Sequence, residues 1–142
     1  MYDSTGSLID PYQGSCNSLN SESWWISQKP YYDSAINSLM THEAAPVPGN
    51  CHYQEFVNGR NSFLPGETLY TAAYYRDQRY NQLSHYKIMR PDGSVFASWS
   101  HASNAFHYSA SYWYWSWVLP NIAPEGEWTF QAEYEGVTYI HT

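Results

Sequence analysis

The sequence predicts a mainly β protein: an immunoglobulin- or fibronectin-like antiparallel β-sandwich with a short helical amino-terminal segment. Three observations predict it. Aromatic residues make up 19% of the chain, with fifteen Tyr and seven Trp, and such side chains suit the pleated, half-buried surface of a sheet. Short strand-forming runs recur over residues 51–142 with turn residues between them, as in a two-sheet all-β domain. The run after Gly126 alternates strictly, with Trp128, Phe130, Ala132 and Tyr134 on one face and Glu127, Thr129, Gln131, Glu133 and Glu135 on the other. That pattern places one face on a core and one in water.

The 142 residues fit one domain with appended segments, and three parts are visible. Residues 1–14 read as a strand end and turn, stopped by Pro11 and Gly14. Residues 15–50 read as short helices and a linker. Ser21 to Gln28 forms a helix around Trp24-Trp25, closed before Pro30. Asp33 caps a second helix, with Tyr32, Ile36, Leu39 and Met40 at helical spacing. Ala44 to Asn50, with two prolines and a glycine, is the linker.

Residues 51–142 form the sandwich. Phe63-Leu64-Pro65-Gly66 is a turn that launches a strand over Glu67–Tyr75. Leu83–Arg90 and Ser94–Trp99 form a hairpin across Pro91-Asp92-Gly93, in which Pro presets φ, Asp bonds locally and Gly takes positive φ. Tyr112–Leu119 is a strand, Pro120–Gly126 a loop, and Gly126–Glu135 with Val137–Thr142 a second hairpin across Glu135-Gly136.

The strand over 112–119 has two faces. Trp113, Trp115 and Trp117 share one with Leu119; Tyr112 and Tyr114 share the other with Ser116 and Val118. A Trp ladder in water would be a large apolar patch, so we assign the Trp face to the core. If an aromatic platform for sugars exists, it is the Tyr face, with Trp99 or Tyr108 beside it.

Charge and motifs restrict the function. The formal net charge is -7 and the six basic residues form no run, which argues against nucleic acid and anionic membrane surfaces. No apolar run approaches the ~20 residues that span a bilayer, so no membrane insertion is expected. No two of the six histidines stand at i, i+2 or i, i+4, so no pair of zinc ligands is recognisable; His101 and His107 read as loop histidines. Glu127, Glu133 and Glu135 read as a solvated strand face, and no nucleophile elbow, phosphate loop or dinucleotide fingerprint occurs. No cofactor is implied. Cys16 and Cys51 lack the clustering of a metal site. They read as a disulfide, which would stabilise by roughly 4 kcal/mol in the chain-entropy model and imply an oxidising compartment; two separate thiols are the alternative. Met1 is followed by no basic or apolar leader and reads as internal to a longer protein.

A resemblance adds to this reading. Tyr2-Asp3-Ser4-Thr5-Gly6-Ser7-Leu8-Ile9-Asp10-Pro11-Tyr12 resembles the closing stretch of the lysostaphin/LytM-type zinc metallopeptidase domain. The strand that carries that family's last His-x-His metal ligands is absent, as are its earlier ligands, so none of its functional residues carries over. Cys16-Asn17, Ser23-Trp24-Trp25, Gln28-Lys29-Pro30-Tyr31, Arg90-Pro91-Asp92-Gly93-Ser94 with Trp99, and Pro124 to Phe130 are similar to extensions that follow such domains in secreted bacterial proteins. The resemblance implies a non-catalytic accessory domain, secreted or periplasmic or on the cell surface, not itself an enzyme. It would partner the upstream peptidase domain of the same polypeptide and support engagement of substrate or cell wall. A carbohydrate-binding module, for peptidoglycan or another glycan, and a purely structural domain are the alternatives.

Overall fold

In a computed structural model, which describes residues 2, 4–6, 23–47 and 58–142, seven strands form two antiparallel sheets. The strands are β1 (Ala35–His42), β2 (Thr68–Arg79), β3 (Leu83–Met89), β4 (Val95–Ala102), β5 (His107–Val118), β6 (Thr129–Tyr134) and β7 (Val137–His141). One sheet has the order β1-β2-β5 and the other β4-β3-β6-β7. The chain divides into two units, Met1–Asp33 and Ser34–Thr142, and both sheets lie in the second.

The turns form where their residues require them. Glu67 N–H donates to Leu64 O (3.1 Å) with Gly66 at φ 81°. A side chain at Gly66 would also meet Asn121 Oδ1 at 2.9 Å. At the next turn Gly93 N–H donates to Arg90 O (2.9 Å), Ser94 N–H donates to Asp92 Oδ1 (2.8 Å), and Gly93 takes φ 81°. The last hairpin turns on Glu135 (φ 49°) and Gly136 (φ 75°), two consecutive left-handed residues that match the twist of the flanking strands.

The helical reading of the amino-terminal part is corrected. No helix occurs among the described residues. At Ser23 the hydroxyl accepts from Trp25 N–H (3.1 Å) and contacts Trp25 O (3.3 Å), a local bond that competes with helix formation. The helix expected after Asp33 is strand β1. Its register against β2 shifts between Ile36 and Ser38, so Asn37 is an extra residue. That bulge puts both Ile36 and Leu39 on the core side, opposite Tyr75 and Ala73. A three-residue apolar spacing is helical in an unbroken chain; here a β-bulge produces it. Cys16 and Cys51, the expected disulfide, most of the expected tail over 1–14, and residues 48–50 of the linker lie outside the described residues.

The inner faces meet in one core. Ile36, Leu39, Leu69 and Tyr75 come from the first sheet; Tyr86, Ile88, Phe130 and Tyr134 come from the second. Polar bonds cross the same space. Tyr75 OH of β2 bonds Ser84 Oγ of β3 (2.7 Å) and also Tyr86 OH. Tyr134 OH donates to Gln82 Oε1 (2.6 Å). Burial raises the pKa of all three tyrosines, that of Tyr134 to about 12, so each stays a neutral phenol.

Tyr75→Phe removes one hydroxyl from a triad whose other two members can still bond each other. It should lower stability by about 1–2 kcal/mol, read as a lower urea midpoint at unchanged slope. Tyr75→Ala should cost about 3–5 kcal/mol through the ring-sized cavity. A Tyr75→Phe variant as stable as the parent would show that the triad contributes nothing.

Candidate functional site

The outer face of the β1-β2-β5 sheet carries a cluster of tyrosines. The even residues of β2 up to Arg76 face away from the core, opposite the even residues of β5, through the pairs Tyr74↔Tyr112, Ala72↔Tyr114 and Tyr70↔Ser116. Tyr74 and Tyr112 lie 5.8 Å apart and 20° from parallel; Tyr112 and Tyr114 lie 6.4 Å apart and 15° from parallel. Tyr70 sits 6.4 Å from Tyr114 at a tilt. Tyr112 is 37% and Tyr114 45% exposed, whereas Ala72 between the rows is fully covered. A shallow depression of about 320 Å³ adjoins Tyr74 and Tyr112 and is also lined by Asn37, Pro46 and Ala110.

One buried imidazole orders this face. Asn58 Nδ2 donates to Ala44 O (3.2 Å) and Ala45 O (2.8 Å), which leaves Asn58 Oδ1 as the acceptor for His42 Nδ1 (3.0 Å). His42 Nδ1 therefore carries the proton, and His42 Nε2 accepts from Tyr74 OH at 3.2 Å. His42 is 1% exposed, and burial holds its pKa below the ordinary 6.5, which keeps the acceptor nitrogen neutral. Burial and the neighbouring Tyr112 raise that of Tyr74.

The sequence-predicted platform residues do not share one surface. Tyr112 and Tyr114 are on the outer face. Trp99 is on the inner side, stacked 5.2 Å from Tyr86 and 6.1 Å from Phe130. Tyr108 pairs with the buried Gln78 and meets Trp113 edge-on at 6.2 Å. Asp77, at φ 48°, resets the alternation of β2, so Gln78 turns inward and accepts from Trp113 Nε1 and Ser111 Oγ, both at 2.9 Å. Trp113, Trp115 and Trp117 are half-buried against the core, as is Trp128. Phe130, Ala132 and Tyr134 are buried.

Tyr70, Tyr74 and His42 were not singled out in the sequence. The available signal was the Tyr-x-Ala-x-Tyr alternation over 70–74, legible only once β2 is known to pair with β5. His101 and His107 are strand residues rather than loop residues. His101 packs on Trp113 at 4.3 Å, and His107 Nε2 meets Asp77 Oδ1 at 3.2 Å.

A second concavity, of about 530 Å³, opens between the sheets beside Thr41, Glu125, Glu127, Trp128 and His141. Its floor is Leu69, Ile88, Leu119 and Phe130, the end of the core itself. Among the described residues, no group of three or more His, Cys, Asp or Glu is placed to hold a metal ion, and no helix is long and apolar enough to cross a membrane. No protein-family model matches the chain, and no curated protein matches it.

Burial lowers the pKa of His42, His101 and His141 alike, and His42 adds to the effect on His141. A group depressed in the folded state contributes full stability above its unfolded pKa and loses it as pH falls through the folded one. Stability should therefore be flat above pH ~7 and decline below ~6.5, the unfolded histidine value. His42→Gln should reduce the slope of the urea midpoint against pH over that interval. An unchanged slope in that variant would remove His42 from the account.

Proposed function

We propose that this chain is a non-catalytic accessory domain, an immunoglobulin- or fibronectin-type sandwich belonging to a secreted zinc peptidase of the lysostaphin/LytM type, and that its tyrosine face engages cell-wall or substrate glycan. The observation that carries the binding half is the row Tyr74, Tyr112 and Tyr114: near-parallel rings, two of them well exposed, beside a shallow depression.

The physical basis is direct. The C–H face of a sugar ring is apolar and packs on an aromatic face, while Tyr hydroxyls and the Asn37 amide bond its hydroxyl groups. Two rings held near-parallel by the strand are already oriented, so little conformational entropy is lost on binding. The Tyr74 hydroxyl is fixed further by His42. The 530 Å³ cleft is a weaker candidate, because its floor is explained by core packing.

The peptidase half rests on the resemblance of residues 2–11 and of the later stretches. Two of those stretches occupy definite places in the fold: Arg90–Ser94 is the β3–β4 turn, and Pro124–Phe130 leads into β6. The expected genomic context is a strand with His-x-His encoded directly before Met1; a different upstream domain overturns this half alone.

Affinity electrophoresis in gels containing peptidoglycan fragments or soluble polysaccharides tests the binding half. Retardation is expected, and Tyr114→Ala should weaken it about tenfold, equivalent to ~1.4 kcal/mol, without changing the unfolding midpoint by more than a small amount. Equal mobility with and without every glycan would overturn the glycan reading.

A further inference from the structure

The two flanks of the paired sheets are built differently. Along the free edge of β1 runs Asn58–Arg60: His42 bridges Gly59, Glu43 N–H donates to Asn58 O (3.2 Å), and Arg60 N–H donates to Thr41 O (2.9 Å). Arg60 also pairs with Glu67 at 2.7 Å and reaches Glu43 at 4.0 Å. On that side the other sheet ends in β7, only five residues long. This flank is covered, charged and short, which are the usual protections of a sheet edge.

Among the described residues, the opposite flank has none of them. There β5 and β4 are the outermost strands of their sheets. They lie against each other through Trp99–Trp117 at 4.6 Å and His101–Trp113 at 4.3 Å. β5 is twelve residues long, and neither strand contains Asp, Glu, Lys, Arg or Pro. From Ser111 to Val118 the pairing of β5 with β2 is unbroken, so no bulge turns the edge away.

The direction of its free backbone groups follows from one bond. Leu119 N–H donates to Glu67 O at 2.9 Å. Alternation along an antiparallel ladder then turns the N–H and C=O of Trp113, Trp115 and Trp117 toward β2. Those of Tyr112, Tyr114, Ser116 and Val118 face outward, and among the described residues no strand pairs with them.

We infer that this edge pairs with the same edge of a second copy of the chain, β5 against β5, antiparallel about Tyr114, so that two three-stranded sheets become one of six strands. A second copy is the occupant that the charge and the pattern favour. The chain carries -7, yet no acidic residue lies on β4 or β5, so two copies meet there without opposing carboxylates. Nor does the edge offer a charge to select a foreign strand. In the two-fold register Tyr114 faces Tyr114, Tyr112 faces Ser116, and Trp113 faces Trp115. Tyr112 and Tyr114 stay on the outer face and Trp113 and Trp115 on the inner, as a self-complementary contact requires. The row Tyr74–Tyr112–Tyr114 then runs on into its symmetry mate. This inference stands independently of glycan binding.

Sedimentation equilibrium of the full chain, in reductant so that no disulfide-linked dimer is counted, tests it. Between about 1 and 100 μM the mass should rise from 16.5 kDa toward twice that value. The amides of Tyr114 and Ser116 should gain protection from hydrogen exchange over the same range. Tyr114→Lys sets like charges directly opposite each other on the two-fold and should hold the mass at the monomer value with a near-parent unfolding midpoint. Tyr114→Pro removes an outward N–H and should do the same; if it unfolds, Tyr114→Lys decides. Thr138→Lys on β7 should leave the dimer intact. A wild-type chain that stays monomeric throughout overturns the inference, and so does a dimer that survives Tyr114→Lys. Protection of these amides only on adding a foreign peptide would assign the edge to a different partner and overturn it equally.

Discussion

The two sheets are held in register by a buried hydroxyl triad, Tyr75, Ser84 and Tyr86, which spans the space between β2 and β3. A core of Leu and Val tolerates sliding, because hydrophobic burial has no direction. A core of tyrosines does not. Each buried phenol must find a partner or lose a hydrogen bond it would have had in water. Tyr134 meets that requirement at Gln82, Trp113 at Gln78, and Trp117 at Thr71. Each bond is satisfied in one relative placement of the strands, so the aromatic composition that makes the core polar also makes it specific.

The corner where the chain passes from one sheet to the other shows the same logic. β2 ends and β3 begins across Tyr80 and Asn81, with Asn81 at φ 61°. Asn81 N–H donates to Ser103 O (2.9 Å), Ser103 N–H donates to Gln82 O (3.3 Å), and Gln82 Oε1 accepts from Arg79 N–H (2.7 Å). The turn is tied to the end of β4 before any side-chain packing is counted. Since Gln82 also receives Tyr134, one glutamine joins the turn, the β4 end and β6.

Much of this was legible in the sequence wherever local chemistry decided the outcome. Pro65-Gly66, Pro91-Asp92-Gly93 and Glu135-Gly136 impose their turns whatever surrounds them, and the alternation around Phe130 needs only a sheet with one wet face. The misreading of β1 has an equally physical origin: a bulge at Asn37 converts a period of two into a spacing of three. The aromatic residues were half legible. Parity separated Tyr112 and Tyr114 from the tryptophans within β5. It could not tell that Trp99, on another strand, points inward toward Tyr86, nor that Tyr70 and Tyr74 complete the outer face. Those facts depend on which strands become neighbours, and pairing is a long-range property that no local window contains.

The inner tryptophans have an optical consequence. Trp99 lies 4.6 Å from Trp117 and 5.2 Å from Trp115, with Tyr86 5.2 Å from Trp99 and 4.7 Å from Trp115. Indole transition dipoles this close share their excitation, and the sign and size of the resulting near-ultraviolet couplet depend on the angle between the rings. Because Trp99 belongs to one sheet and Trp115 and Trp117 to the other, that couplet is a built-in gauge of sheet separation. It fades when the layers part, even while each sheet keeps its own backbone ladder.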